Sequence, residues 1–302
     1  MYSGVVRNAK SLPPLLIQGR NLRMNQAEKR NLEILACKAR MGAIIGTFHA
    51  KSGHPGGSLS AADMFTYLYF KEMNVDPQNP DWADRDRFVL SKGHCCPSLY
   101  AVLALKGYFD WKELEVLRHV GAMLQGHPDM KGTPGIDMSS GSLGQGVSAA
   151  CGMALAAKID NKDYRVYTVL GDGECEEGEV WEAAMFAGHH GLDNLTVIVD
   201  CNGLQIDGTT EEVGGVEPLD TKFESFGFDT VIIDGHDFDQ IEDALNKAKE
   251  SDKPFAIIMK TVKGKGVSFM ENQVGWHGKA TNADEFKVAM AELEAQLAEL
   301  EG

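Results

Sequence analysis

The sequence predicts an α/β fold, with a parallel sheet flanked by helices. Five short apolar segments have the composition of buried strands and alternate with helical stretches; they lie at residues 87–91, 164–170, 195–199, 230–233 and 255–261. The long stretches between them favour parallel pairing, because a parallel pair needs a crossover whereas antiparallel strands can be joined by a short turn. At 302 residues and 43% hydrophobic, the chain can bury the core of one large domain.

Capping boxes predict where two long helices begin. Asn25 with Glu28 and Asn282 with Glu285 have the required spacing. We expect an N-terminal arm at residues 1–24, the main domain at 25–280 and an amphipathic helix within 281–302. That last helix presents one apolar face, formed by Phe286, Met290, Leu293, Leu297 and Leu300. Docking of this face on its own domain is the simpler expectation, and a subunit contact is the alternative.

Charge and composition exclude several classes of protein. The net charge of −15, from 29 basic and 44 acidic residues, disfavours binding to nucleic acid or to an anionic membrane. No apolar run reaches the roughly 18 residues of a membrane helix, and the N-terminal residues lack the pattern of a secretory signal. Six scattered cysteines form no C-x-x-C pair, which indicates reduced, buried thiols. We therefore expect a cytoplasmic protein.

The segment at residues 171–202 carries the strongest functional signal. Asp172 comes just after one predicted strand, and Asn202 comes after the next. Open α/β sheets bind ligands beyond the carboxyl ends of their strands, so both side chains are expected at one point. A carboxylate and an amide suit Mg²⁺ or Ca²⁺, and Mg²⁺ commonly binds substrate phosphates as well. Since Gly171 and Gly173 also let the backbone approach an anion, we expect a diphosphate held by a metal.

The alternative is a nucleotide-binding turn without a metal, in which Asp200 would hold a ribose. This interpretation fits less well, because Glu176 stands where a G-x-G-x-x-G fingerprint needs its third glycine. Asp172, Glu174 and Glu177 would moreover repel a pyrophosphate that no cation compensates. A bound cation removes that objection.

Four of the nine histidines lie in loops rich in glycine and proline: His54, His94, His127 and His277. A rigid loop can direct an imidazole into a cleft. There its pKa near neutrality suits proton transfer, and its N–H groups can bind oxygen atoms of a substrate. We therefore consider the four as candidate site residues.

These motifs resemble those of transketolases, and the segment 171–202 resembles their thiamine diphosphate motif. Matching blocks occur in the same order: SGHPGGSLSAAD at 52–63, DRFVLSKGH at 86–94, GHPD at 126–129, GSLGQG at 141–146, and KTVKGKGVSFMEN with GWHG at 260–278. The resemblance covers nearly the whole chain. It implies the diphosphate-binding domain of a thiamine diphosphate enzyme, which transfers a two-carbon ketol unit from a ketose phosphate to an aldose phosphate in the pentose phosphate pathway.

The resemblance also implies residue roles. Mg²⁺, or Ca²⁺ or Mn²⁺, would be bound by Asp172, the Asn202 side chain and the Leu204 carbonyl. Cofactor contacts would come from His94, Gly141, Ser142, Leu143, Gly173, Glu174, Asn202 and His277. Many transketolases carry proline where Ser142 stands here.

For the substrate, the resemblance implies that His54 and His277 bind sugar oxygens and move protons. His127 would contact the terminal hydroxyl of the donor or the aminopyrimidine of the cofactor. Glu177 and Glu182 would belong to an acid network across a dimer interface, with simple helix N-terminal charge as the alternative. Lys263 and Lys265 could either attract phosphate or lie in a mobile, solvated loop.

In transketolases, the glutamate that activates the cofactor belongs to a second domain. After Gly278 the sequence holds a linker and one helix, so we expect the N-terminal subunit of a split transketolase. It would be active only with a C-terminal subunit that carries the pyrimidine-binding domain, in an α2β2 heterotetramer. The alternatives are an alpha-type subunit of a 2-oxo acid dehydrogenase, a deoxyxylulose phosphate synthase type of enzyme, or a non-catalytic binding module. SGHPGG and GWHG favour transketolase.

Overall fold

The computed structural model describes residues 23–302, which contain one five-stranded parallel sheet. The strands are β1 (Arg87–Leu90), β2 (Val166–Gly171), β3 (Leu195–Cys201), β4 (Asp229–Asp234) and β5 (Phe255–Lys260). Their order across the sheet is β1-β2-β3-β5-β4, and every neighbouring pair is parallel. The predicted fold class is therefore confirmed, and each predicted strand is observed within two residues of its expected bounds.

Helices cover both faces of the sheet. They are α1 (Gln26–Ala50), α2 (Pro55–Tyr67), α3 (Cys96–Lys106), α4 (Gln145–Ile159), α5 (Gly178–His189), α6 (Thr210–Val213), α7 (Leu219–Ser225), α8 (Phe238–Glu250) and α9 (Ala283–Glu301). The core on one face includes residues of α1, α2, α3 and α8, and the core on the other face includes residues of α4, α5 and α7. Because β3 is covered on both faces, all seven of its residues are buried, and its sequence is an almost unbroken apolar run.

Both predicted capping boxes are present. The Asn25 side chain accepts hydrogen bonds from the backbone N–H groups of Ala27 and Glu28 at 3.0 Å, while the Glu28 carboxylate accepts from the Asn25 N–H at 2.9 Å. Asn282 and Glu285 form the same arrangement before α9. Residues 1–22 of the expected N-terminal arm lie outside the described residues. The division of the chain after residues 24 and 280 stays a prediction.

Helix α9 docks on its own domain, as the simpler expectation had it. Its buried residues Phe286, Met290, Leu293 and Leu297 share one apolar cluster with residues of α1 and of the segment 267–276. The predicted apolar face of this helix therefore has its partner within the chain.

The six cysteines are all buried and unpaired, as their scattered spacing indicates. Within residues 23–302, no helix has the length and apolarity needed to cross a membrane.

The end of α5 is packed so closely that only glycine fits at position 188. A Cβ on Gly188 would lie 1.7 Å from the carbonyl oxygen of Phe226, which is backbone and cannot turn away. Gly152, within α4, has no heavy atom within 4 Å of the equivalent position. The two glycines therefore form a matched pair for a test of packing.

We expect Gly188→Ala to destabilise the fold by about 1–3 kcal/mol or more, because the backbone of residues 226–227 must move. Gly152→Ala should instead raise stability by about 0.5–1 kcal/mol, since alanine favours an exposed helix position. Urea unfolding of the two variants beside the wild type measures both changes. Equal stability of the two variants would contradict this account of the packing.

Candidate functional site

The carboxyl ends of β2 and β3 bring the two predicted ligand segments together. The register pairs Gly171 of β2 with Asp200 of β3. Asp172 is the first residue after β2, and Asn202 is the first residue after β3. The Asp172 carboxylate accepts a hydrogen bond from the Gly203 N–H at 2.6 Å and another from the Gly173 N–H at 2.9 Å. The topological expectation from the sequence therefore holds for the backbone that carries both side chains.

The Leu204 carbonyl is the third candidate ligand at this edge of the sheet. We call the Asp172 carboxylate, the Asn202 side-chain oxygen and the Leu204 carbonyl the oxygen cluster. The Leu204 N–H donates to the Asn202 side-chain oxygen at 3.2 Å, and the Leu204 carbonyl accepts from the Lys263 ammonium at 2.9 Å. Lys263 is only 2% exposed and also donates to Nδ1 of His277 at 2.9 Å. Of the two possibilities left open for Lys263, the solvated loop is therefore wrong, because this side chain is part of the site.

These residues fit a hard cation. Asp172 is buried, and burial together with the nearby charge of Asp200 raises the pKa of its carboxyl to about 6. A cation beside it would favour the ionised form. Within residues 23–302, no three His, Cys, Asp or Glu side chains form a group that could bind a metal. The other ligands that the resemblance implies are the amide of Asn202 and the carbonyl of Leu204. Oxygen ligands of this kind suit Mg²⁺, Ca²⁺ or Mn²⁺.

The four loop histidines meet beside this oxygen cluster. The ring centroid of His54 lies 5.1 Å from that of His94, 5.4 Å from that of His277 and 6.3 Å from that of His127. His94 and His277 are 5.2 Å apart. Each comes from a different segment: the residue before α2, the turn after β1, the loop before α4 and the loop before α9. The structure therefore brings the four candidate histidines together, and the roles expected of them stay predictions.

Burial keeps the imidazoles neutral. It lowers the pKa of His54 to about 4 and that of His277 to about 3, with smaller contributions from neighbouring positive charges. The pKa of His94 falls well below its ordinary value for the same reason, and that of His127 is lowered too. A neutral imidazole offers one donor and one acceptor. Nδ1 of His54 is buried with no partner among the described residues, which leaves it for a ligand.

Two glycines of the SGHPGG segment allow the histidine loops to approach one another. A Cβ on Gly57 would lie 2.6 Å from Sγ of Cys95, in the turn that carries His94. A Cβ on Gly56 would lie 2.8 Å from the Trp276 carbonyl, just before His277. The start of α2 therefore needs residues without side chains at these two positions.

The GSLGQG loop closes the cluster on the His127 side. Gly141 has φ +153°, and a Cβ on it would lie 3.2 Å from the His127 ring. Ser142 is exposed, and Leu143 is half-buried. Of the three residues predicted to face the aminopyrimidine, Gly141 therefore lies directly beside the histidine cluster, and Ser142 and Leu143 follow it in the chain.

Glu174, which the sequence predicts to contact the cofactor, is hydrogen-bonded to other residues of the protein. Its buried carboxylate accepts hydrogen bonds from the Ser91 hydroxyl, from the Gly144 N–H at 2.9 Å and from the Gly171 N–H at 3.1 Å. Three loops of the site are thereby joined at one side chain. The cofactor contact expected of Glu174 stays a prediction.

Lys92 and Asp200 form a buried ion pair that sequence reasoning missed. The two side chains are 2% and 0% exposed. Although burial disfavours both charges, Asp200 raises the pKa of Lys92 and Lys92 lowers that of Asp200. Asp200 also accepts from the hydroxyls of Ser60 and Thr261. It cannot hold a ribose, which overturns the alternative of a metal-free nucleotide turn. The sequence feature that could have indicated this pair is the acidic residue Asp200 inside the otherwise apolar strand β3.

His236 positions the segment that leads to Lys263. Its Nδ1 lies 2.7 Å from the buried carboxylate of Asp63, and its Nε2 accepts a hydrogen bond from the Val262 N–H at 2.9 Å. Arg40 also pairs with Asp63. Sequence analysis did not identify this role of His236, because the residues that it contacts lie far from it in the chain and no local pattern indicates such contacts.

Glu177 and Glu182 lie outside the histidine cluster. Both are exposed, immediately before and within α5. The exposed side chains of Met185 and Phe186 lie on the same helix. Their part in an acid network across a dimer interface stays a prediction, as does the alternative of simple helix N-terminal charge.

The model of one protein family matches most of the chain. Residues 34–298 match the family described as transketolase, thiamine diphosphate binding domain. The match includes all four histidines, Asp172, Asn202 and Lys263.

Individual proteins that are similar to this chain are also named as transketolases or their subunits. The chain is 51% identical over 245 residues to a 6-deoxy-6-sulfo-D-fructose transketolase subunit of Clostridium sp. (strain MSTE9), covering 81% of this chain and 89% of the relative. It is 41% identical over 274 residues to an apulose-4-phosphate transketolase subunit of Phocaeicola vulgatus, covering 89% and 96%. The crystal structure of transketolase from Campylobacter jejuni superposes with a TM-score of 0.84 at 33% identity, covering 92% of this chain and 46% of that one.

The chain thus spans nearly the full length of the two relatives named as subunits, and less than half of the Campylobacter transketolase. The relatives' names favour a transketolase over the alternatives of a 2-oxo acid dehydrogenase subunit or a deoxyxylulose phosphate synthase. With the family match and the fold in agreement, the chain belongs to the transketolase family as its thiamine diphosphate-binding domain.

Proposed function

We propose that this chain is the N-terminal subunit of a split transketolase. It would transfer a two-carbon ketol unit from a ketose phosphate to an aldose phosphate. One observation carries the proposal: four neutral imidazoles converge beside a carboxylate, an amide and a carbonyl oxygen at one sheet edge. Such an arrangement can hold a metal-bound diphosphate and move protons at a sugar in the same cleft.

Asp172, Asn202 and the Leu204 carbonyl would bind the metal, which we propose to be Mg²⁺, with Ca²⁺ or Mn²⁺ as substitutes. Gly173, His94, His277 and Lys263 would bind the diphosphate. The buried ammonium of Lys263 already donates to the Leu204 carbonyl, so it lies close enough to offset negative charge at this point. The cofactor, when bound, supplies the nucleophilic carbon that takes up the two-carbon unit.

Gly141, Ser142 and Leu143 would pack against the aminopyrimidine. Glu174 would position this loop rather than touch the cofactor, because its oxygens are taken by Ser91, Gly144 and Gly171. The exposed Ser142 side chain leaves this contact to the backbone and to Leu143.

His54, His127 and His277 would act on the sugar. Their lowered pKa values keep them neutral at pH 7, so each can accept a proton at one nitrogen and donate from the other. The unpartnered Nδ1 of His54 supports a direct hydrogen bond to substrate. His127 would bind the terminal hydroxyl of the donor or the aminopyrimidine.

A C-terminal subunit would supply the pyrimidine-binding domain and the glutamate that activates the cofactor. The two relatives named as transketolase subunits support such a partner, since this chain covers 89% and 96% of their lengths. We propose an α2β2 assembly in which Glu177 and Glu182 join an acid network across the interface. A cytoplasmic location and a place in the pentose phosphate pathway complete the proposal.

Asp172→Ala should weaken thiamine diphosphate binding in the presence of Mg²⁺ by about a hundredfold or more, because it removes the anionic ligand of the metal. Asp172→Asn retains an oxygen that can accept from Gly203 and should also bind poorly, which separates charge from loop structure. Calorimetry on the assembled complex measures both affinities. Asp252→Ala, at an exposed aspartate, is the control. Affinity of the Asp172 variants within about threefold of wild type would contradict the assignment.

His54→Ala should lower turnover by about a hundredfold while cofactor affinity stays nearly unchanged. The side chain does not cap α2, so its removal should leave the helix intact. Steady-state rates at saturating substrate, together with cofactor titration, separate the two effects. His49→Ala, at an exposed position on α1, serves as the control. A loss of cofactor binding with normal turnover at saturation would be inconsistent with a role at the sugar.

The purified chain by itself should show no transketolase activity, and addition of its cognate C-terminal partner should restore it. The physical reason is that the glutamate and one wall of the cleft would come from the partner. Mass spectrometry must show that the preparation contains no partner chain, and the partner without this chain is the control. Turnover of a ketose phosphate by this chain in such a preparation would refute the split-enzyme proposal.

A further inference from the structure

Helix α3 holds the backbone of the loop that carries His127. The Tyr100 hydroxyl lies 3.0 Å from the Gln125 carbonyl and 3.1 Å from the His127 carbonyl, and it donates to both. Between them, Sγ of Cys96 donates to the Gly126 carbonyl at 3.3 Å. Both donors belong to α3, so one helix binds three consecutive carbonyls of the loop.

The two donors are built into the core. Cys96 and Tyr100 are both 0% exposed, and every residue of α3 from Cys96 to Leu103 is buried. Burial raises the pKa of the Tyr100 hydroxyl above its ordinary value, so the group stays protonated and remains a donor. A buried phenol usually has a hydrogen-bond partner, and here both carbonyl acceptors belong to the His127 loop. The position of the loop therefore follows that of the helix.

The His127 ring depends on this backbone for its own position. Among residues 23–302, the ring makes no hydrogen bond. Its neighbours are the His54 ring, 6.3 Å away between centroids, and Gly141, where a Cβ would lie 3.2 Å from the ring. The His277 ring differs, because its Nδ1 is bonded to Lys263. For His127, the bonds of the backbone do what a side-chain partner does for His277.

The same helix continues from the turn that carries His94. Gly93–Cys95 form a short helical turn that leads directly into α3 at Cys96. His94 is proposed to bind the diphosphate, and His127 is proposed to bind the donor or the aminopyrimidine. One helix therefore sets the distance between two ligand contacts that come from separate segments of the chain.

We propose that Tyr100 is a positioning residue for His127, and that its hydroxyl holds the His127 loop at a fixed distance from His94 and thus from the bound cofactor. The hydroxyl is buried, so it acts through the loop rather than on a ligand. A displacement of about 1 Å at a binding group can lower a rate by about a hundredfold, so the loss of this one hydroxyl is measurable. The inference rests on the proposed transketolase function, and one of its tests does not require activity.

Tyr100→Phe in the assembled holoenzyme tests the proposal, because phenylalanine keeps the ring and removes only the hydroxyl. We expect kcat/KM for a ketose phosphate donor to fall about fivefold or more. In a His127→Ala background the same change should alter kcat/KM by less than about twofold, since a residue that acts through His127 then has nothing to position. Equal falls in both backgrounds, or no fall in either, would overturn the proposal.

Tyr167→Phe is the matched control. This buried tyrosine of β2 donates to the Glu72 carboxylate at 2.9 Å, and neither residue belongs to the site. Thermal unfolding should show a loss of stability in both tyrosine variants, because each leaves a buried group without its partner. Only Tyr100→Phe should lower kcat/KM by more than about twofold. A fall of the same size in Tyr167→Phe would identify a general structural effect and contradict the positioning role.

Cys96→Ala is a second variant, which decides the matter if Tyr100→Phe fails to fold. It removes the donor to the Gly126 carbonyl and should lower kcat/KM about twofold or more while His127 is present. The same fall in the His127→Ala background, or no fall at all, would count against positioning of the loop by α3.

The test without catalysis uses the imidazole resonances of the full chain. With histidine labelled with ¹³C at Cε1, the resonance that disappears in His127→Ala belongs to His127. Tyr100→Phe should shift or broaden this resonance, whereas Tyr167→Phe should leave it unchanged. An unchanged resonance in Tyr100→Phe would overturn the proposal even if activity falls. Absence of ketol transfer by the wild-type complex would instead refute the proposed function, and the resonance would still decide the role of Tyr100.

Discussion

The geometry of the site depends on the buried ion pair between Lys92 and Asp200. Lys92 follows β1 and Asp200 lies in β3, while the hydroxyls of Ser60 in α2 and of Thr261 after β5 complete the bonding of the carboxylate. Removing one partner of such a pair costs about 3–5 kcal/mol, because the other charge remains buried and unpaired. Lys92, Asp200 and Thr261 each lie two positions before a candidate ligand-binding residue. These candidates are His94, Asn202 and Lys263, respectively. One interaction therefore aligns three segments of the site.

The site combines charges that the protein satisfies internally with charges that it leaves for ligands. Lys92, Asp200 and Glu174 have full sets of partners and hold the loops. Asp172, by contrast, is buried where ionisation is unfavourable. The first group gives the site its rigidity. A cation bound beside Asp172 would favour the ionised form of its carboxyl.

Much of the fold and part of the site could be predicted from the sequence. Asp172 and Asn202 were found because parallel topology places the ends of successive strands at one edge. The Lys92–Asp200 pair, the Asp63–His236 contact and the loop-joining role of Glu174 were missed. Their partners lie far apart in the chain or in irregular loops, and no local periodicity marks such contacts. Lys263 was left undecided because the charge of a lysine in a glycine-rich segment does not reveal its burial.

Helix α9 has a consequence for how the site is made. It packs on α1 and on the segment 267–276, and a Cβ on Gly266 would lie 3.2 Å from its Leu293 side chain. That segment leads directly to His277, whose loop faces the start of α2. Ribosomal synthesis proceeds from the N-terminus, so α9 emerges after every other described element. The histidine cluster is complete only once His277 has been synthesised, near the end of the described residues, so cofactor binding by the nascent chain would be a late event.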